Sequence, residues 1–101
     1  MKTRSRKAPT RTKSWDAADH LVTEADMLAY LEAALDDGDP AVIAAALGDV
    51  ARAVGMTAVA RDTGLARESL YKALSSNGNP ELATVLKVLT AVGIRLHAGK
   101  A

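Results

Sequence analysis

The chain of 101 residues contains no cysteine and no phenylalanine. Without cysteine there can be no disulfide staple, thiolate metal site or thiol nucleophile, a usage that suits a reducing cytoplasm. Aromatic residues are limited to Trp15, Tyr30 and Tyr71, which argues against a strand-rich core. The longest apolar run, Ala41 to Leu47, is far too short to span a bilayer, and no basic start leads into an apolar segment. The expectation is therefore a soluble, cytoplasmic protein with no membrane partner. His20 and His97 stand alone, no glycine-rich phosphate loop is present, and neither Ser69 nor Ser75 has a histidine in helical register. Nothing converges as nucleophile, base or metal ligand, so neither an enzyme nor a cofactor or metal site is expected.

What the chain does have is alanine and a segregated charge pattern. With 49% apolar residues it can build one modest core, and its many alanines favour helices that approach closely. The net charge of +1 conceals three zones: +6 over residues 1–14, −9 over 15–50 and +4 over 51–101. Residues 1–14 hold six bases, no acid and no apolar periodicity, too little hydrophobic surface to offset ordering entropy. They read as a disordered basic arm, with Trp15 and Leu21 as candidates to pin its end to a body spanning residues 15–101.

Helix signals then become regular. Thr23 with Asp26 three residues later approximates a capping box, and Met27, Tyr30, Leu31, Ala34 and Leu35 form one apolar stripe that Gly38 ends. Asp39-Pro40 combines a cap with proline at the first helical position, launching a helix lined by Val42, Ile43, Ala46, Leu47, Val50 and Val54 up to Gly55. Thr57 is read as the cap of a short helix ending near Thr63, and another runs from after Leu65 to about Ser76. Asn79-Pro80 looks like the cap-then-proline device again, opening a helix lined by Leu82, Val85, Leu86, Leu89 and Val92 and closed by Gly93. The tail IRLHAGKA starts with an alternation that suits a short strand.

The stretch ARDTGLARESLYKALS joins two helices too short to persist alone by a turn with Gly64 at its left-handed position. Ala60 permits close approach, and Val59, Leu65, Leu70 and Leu74 supply shared apolar contacts. This is the pattern of a helix-turn-helix over about residues 57–75, which leaves one side of its second helix exposed. Arg67, Glu68, Tyr71 and Lys72 lie on that side with groups suited to base edges. Thr57, Arg61, Ser75 and Asn77 flank it as candidate phosphate contacts, which fix register without carrying sequence information.

From about Trp15 to Leu96 the chain resembles the HigA-like addiction-module antidote family, a branch of the Xre/Cro type of regulators. The resemblance is carried by DMLAYLEAALDDGDPAVIAAALGDVARAVGMT and GLARESLYKALSSNGNPELATVLKVLTAVGIRL. It implies an all-α, five-helix lambda-repressor-like helix-turn-helix domain that binds double-stranded DNA at its own operator as a homodimer. It also implies neutralisation of a RelE/HigB-like toxin, commonly an mRNA endonuclease. Two positions depart from the wider pattern: Ala58 stands where glutamine is usual and Ala66 where serine is usual, removing a phosphate contact and a cap worth about 1 kcal/mol.

An RNA-cleaving partner needs a basic surface, so Asp16, Asp19, Glu24, Asp26, Glu32, Asp36 and Asp37 are candidates to face the toxin. Helix capping is the competing use for Asp26 and for Asp39. A single recognition helix makes few contacts, so a two-fold dimer reading half-sites about 34 Å apart is expected, with the last helix and GIRL as its first candidate surface. An orphan Xre-type repressor without a toxin, or a helical protein-interaction module that does not bind DNA, would share many of these features.

Overall fold

A computed structural model describes residues 16–101 of the chain; the basic arm and Trp15 lie outside the described residues. The described residues form a 3-10 helix, Ala17–His20, followed by α1 Glu24–Asp37, α2 Pro40–Val54, α3 Met56–Thr63, α4 Arg67–Ala73 and α5 Leu82–Val92, with no strand among them. The architecture is all-helical, as the composition requires.

The first two helices are defined locally. At α1, the Thr23 hydroxyl accepts from the Asp26 N–H at 3.1 Å while the Asp26 carboxylate accepts from the Thr23 N–H at 3.0 Å. This reciprocal box satisfies donors the helix cannot use internally, and the Thr23 N–H and hydroxyl hold the Asp26 carboxyl below its ordinary range. Gly38 ends α1 in the left-handed conformation. Asp39 then caps α2 by accepting from the Ala41 N–H at 2.9 Å, with Pro40 in the first turn.

Helix α2 is the hub, packing against the 3-10 helix, α1, α3, α4 and α5. Its Leu47, Val50 and Ala51 are sealed, and they join Leu31, Val59, Leu70, Leu74 and Val88 in one core. Each large side chain buried in this way contributes roughly 1.5–3 kcal/mol. No single helix among the described residues is long and apolar enough to cross a membrane; α2 and α3 together have the length, but the chain turns through 104° between them.

Several boundaries differ from the sequence expectation. Thr57 does not cap α3: the sharp turn after α2 places Gly55 at φ 125°, ψ 112°, and the helix begins immediately at Met56. Asn79-Pro80 does not launch α5 either, because Glu81 is still extended at φ −65°, ψ 153° and the first helical residue is Leu82. With this start, the face turned to the core carries Val88, Leu89 and Val92, and Val88 is completely buried whereas Leu82 is 69% exposed. Leu35, Val42, Val54 and Leu86 are likewise partly exposed, at 40–46%, rather than buried.

The tail beyond Gly93 is not a strand. The Ile94 N–H donates to the Leu89 carbonyl at 2.9 Å and the Gly93 N–H to that of Thr90 at 3.1 Å, a Schellman closure that turns the chain back on the helix. That turn buries Ile94 within the monomer, so it needs no second subunit to cover it; Leu96 stays exposed.

Candidate nucleic-acid interface

Helix α4 has only seven residues, and its N-cap, Ala66, makes no side-chain hydrogen bond. A helix this short does not persist alone, so its position comes from what surrounds it. On the N-terminal side, Gly64 adopts φ 72° and its N–H donates to the Ala60 carbonyl at 2.9 Å. The Thr63 hydroxyl donates to the Val59 carbonyl at 2.8 Å and accepts from the Leu65 N–H at 3.3 Å, stitching the turn to the end of α3.

Beneath the helix, Leu70 and Leu74 enter the core with only 1% and 3% of their surface exposed. The close approach that allows this depends on Gly48 in α2. A Cβ there would lie 2.1 Å from the Leu74 carbonyl oxygen, so the hub helix must be bare at this point for the end of α4 to seat. The sequence reading missed Gly48, since a glycine inside a helix carries no local signal of what passes over it. Gly78 has a similar role in the following turn, where a Cβ would lie 2.1 Å from the Ala73 carbonyl oxygen.

With Leu70 and Leu74 inside, the opposite side of α4 is turned to solvent. Arg67, Glu68, Tyr71 and Lys72 are all exposed. The Arg67 guanidinium sits over the Tyr71 ring at 5.9 Å from its centroid, the outer reach of a cation–π contact, leaving its hydrogen-bonding edge available. Ser75 is half-buried and its hydroxyl donates to the Lys72 carbonyl at 2.9 Å. Asn77 is exposed in the next turn, and Thr57 is exposed in the first turn of α3. Arg61, also on α3, pairs with its neighbour Asp62 at 3.1 Å, an exposed contact of little energetic weight.

A second polar cluster joins the 3-10 helix, α1 and α2. Arg52 donates to Asp16 at 2.8 Å and to Asp49 at 2.7 Å, and the Tyr30 hydroxyl also donates to Asp49. Burial opposes the charge on Arg52, but hydrogen bonds to the two carboxylates prevail and raise its pKa. Burial and the hydrogen bond to Asp49 push the Tyr30 phenol up to about 12. The Asp49–Arg52 spacing of one helical turn is a visible signal; the partnership with Asp16, 36 positions away, is not.

The seven acids proposed from sequence to face a partner are therefore not equivalent. Asp16 caps the 3-10 helix and binds Arg52, and Asp26 is engaged in the capping box. Asp19, Glu24, Glu32, Asp36 and Asp37 are exposed. Among the described residues, no group of acids and histidines is arranged to hold a metal ion.

Comparison with known proteins adds an independent line. A family model described as "Probable addiction module antidote protein" matches residues 11–100. An uncharacterized protein of Haemophilus influenzae is 47% identical over 85 residues, covering 84% of this chain and 88% of its own length. No solved structure matches the chain.

Proposed function

Since the chain belongs to the addiction-module antidote family, we propose that it is a DNA-binding antitoxin that neutralises a RelE/HigB-like toxin and represses its own operon. An antidote implies a toxin partner of some kind; the DNA-binding half of the proposal rests on α4. In this reading α3 and α4 are the helix-turn-helix of a lambda-repressor-like domain spanning residues 15–101, preceded by the basic arm. The observation that carries it is the division of α4 into a sealed side, Leu70 and Leu74, and an open side bearing Arg67, Glu68, Tyr71 and Lys72.

Those four side chains are assigned to base edges: Arg67 and Lys72 to guanine, Glu68 to the cytosine amino group, and Tyr71 to a thymine methyl or a phosphate. Thr57, Arg61, Ser75 and Asn77 are assigned to the flanking phosphates. Asp19, Glu24, Glu32, Asp36 and Asp37, with Asp16 and Asp26 held in place by their internal bonds, form the toxin-facing surface. The protein acts in the cytoplasm, without catalysis, as a homodimer that reads two half-sites.

The test is a binding titration of the full chain on the DNA upstream of its own gene, against scrambled DNA. The wild type is expected to prefer the upstream fragment, and Arg67→Ala to lower that affinity by ~1–3 kcal/mol and blur the preference if Arg67 reads guanine. An equal loss on every sequence would reassign Arg67 to a phosphate. No preference at all, with the fold intact, would leave α4 as a protein-binding face.

A further inference from the structure

A cavity of about 390 Å³ opens between α1 and α2. Its walls are small and apolar: Ala33 from α1 and Ala41, Val42 and Ala45 from α2, with Tyr30 and Ser76 also lining it. The Tyr30 hydroxyl is already committed to Asp49, so a bound group meets almost no free polar atom. Such a site selects bulk and hydrophobicity, the properties of an anchoring aromatic or branched side chain, and offers little to orient a polar metabolite. Val42, one of the wall residues, is 42% exposed although it belongs to the longest apolar run of the chain.

The segment that supplies both helical walls carries charge of one sign. Residues 16–51 contain nine acids and no lysine or arginine. Asp37 ends α1 one turn beyond Ala33 and Asp39 caps α2 beside Ala41, whereas Glu32 and Asp36 line a separate groove between α1 and the tail. An apolar slot with two acids at its border is complementary to an apolar side chain carried on a cationic segment. The chain's own basic arm has the charge, but residues 1–14 contain no Leu, Ile, Val or aromatic residue to fill the slot.

We propose that the α1–α2 groove is the anchoring point for the toxin, receiving a bulky apolar side chain from a cationic segment whose Lys or Arg residues meet Asp37 and Asp39. The inference rests on the antidote reading above and goes beyond it by naming a pocket where that reading names only charges. The bound side chain supplies lifetime, because its release re-exposes apolar surface, while the acidic rim supplies the rate of encounter.

The experiment pairs the full chain with the product of the adjacent toxin reading frame, purified as a complex, separated under denaturing conditions and refolded for kinetic binding measurements. Ala33→Leu fills the groove from an exposed helical position, and Asp37→Asn with Asp39→Asn removes two rim charges while asparagine keeps the cap of α2. Ala33→Leu is expected to raise the dissociation rate at least tenfold at unchanged helicity and unchanged binding to upstream DNA. The double Asn variant is expected to slow association and flatten its dependence on salt. Unchanged dissociation for Ala33→Leu within an otherwise intact complex overturns the groove and leaves the antidote reading standing. A wild-type chain that forms no complex with this product overturns both. Two other outcomes also overturn the proposal: a wild-type oligomer that Ala33→Leu dissociates, assigning the groove to a second copy, or a Trp15→Ala variant that binds the toxin at least tenfold more tightly, assigning it to the chain's own tryptophan.

Discussion

Helices α1 and α4 present the two most distinctive surfaces of this molecule, yet they are held in place by different means. Helix α1 has fourteen residues, a reciprocal box at its start and a left-handed glycine at its end; most of what defines it lies within its own segment. Helix α4 has seven residues and no side-chain cap, and it is held by Leu70 and Leu74 from below, by Gly64 before it and by the bare backbone of Gly48 beneath its end. One surface is specified locally and the other by the rest of the fold. Damage to the core should therefore reach α4 first and α1 last.

The largest expected effect is at Leu70. Leu70→Ala should lower stability by roughly 2–5 kcal/mol, a large fraction of the ~5–15 kcal/mol available to a small domain, as read from the denaturant midpoint. Hydrogen exchange should show protection lost in α4 more completely than in α1; equal loss in both would break the contrast. Gly48→Ala comes next. The new methyl must displace the Leu74 carbonyl, and overpacking of this kind costs about 1–3 kcal/mol, offset in part by the helix preference of alanine. If α4 reads DNA as proposed, its signature is a loss of DNA affinity that exceeds the fraction unfolded, since the displaced carbonyl lies at the end of α4.

A smaller effect is expected at the cap of α1, where Thr23→Ala should cost ~1 kcal/mol and leave the proposed DNA binding unchanged. The capping contribution of Asp26 follows from its lowered pKa: it is present above the ordinary value of 3.8 and lost as pH falls below that value through the folded one. Asp26→Asn should therefore flatten the acid limb of the helicity profile. A further effect, confined to alkaline pH, concerns Tyr30, whose raised pKa means that the folded chain holds the phenolic proton more tightly than the unfolded one. That contribution is complete below pH 10 and disappears as pH rises through about 12, so in a Tyr71→Phe background the tyrosinate absorbance should emerge near the upper value. Emergence at pH 10 would show that the bond to Asp49 does not form in solution.

The same contrast explains what could be read from the amino acids alone. Thr23 with Asp26, Gly38 and Asp39-Pro40 act on neighbours within a turn, so the ends of α1 and the start of α2 were visible as spacing. The outward side of α4 was visible too, because Leu70 and Leu74 on one face leave Arg67 and Tyr71 on another. Asn79-Pro80 resembles Asp39-Pro40 in letters but not in outcome: Glu81 remains extended, and Val88 rather than Leu86 packs in the core. The meaning of Gly48 and the bond from Arg52 to Asp16 depend on segments far apart in the chain, and no pattern within a helix announces them.

The two-sidedness of α4 has an evolutionary corollary. All of its structural obligations fall on Leu70 and Leu74, and Arg67, Glu68, Tyr71 and Lys72 have none in the core. Those four positions can drift or be rewritten, singly or together, while the scaffold beneath stays as it is. A lineage carrying this scaffold is free to diversify what α4 touches at little expense to folding.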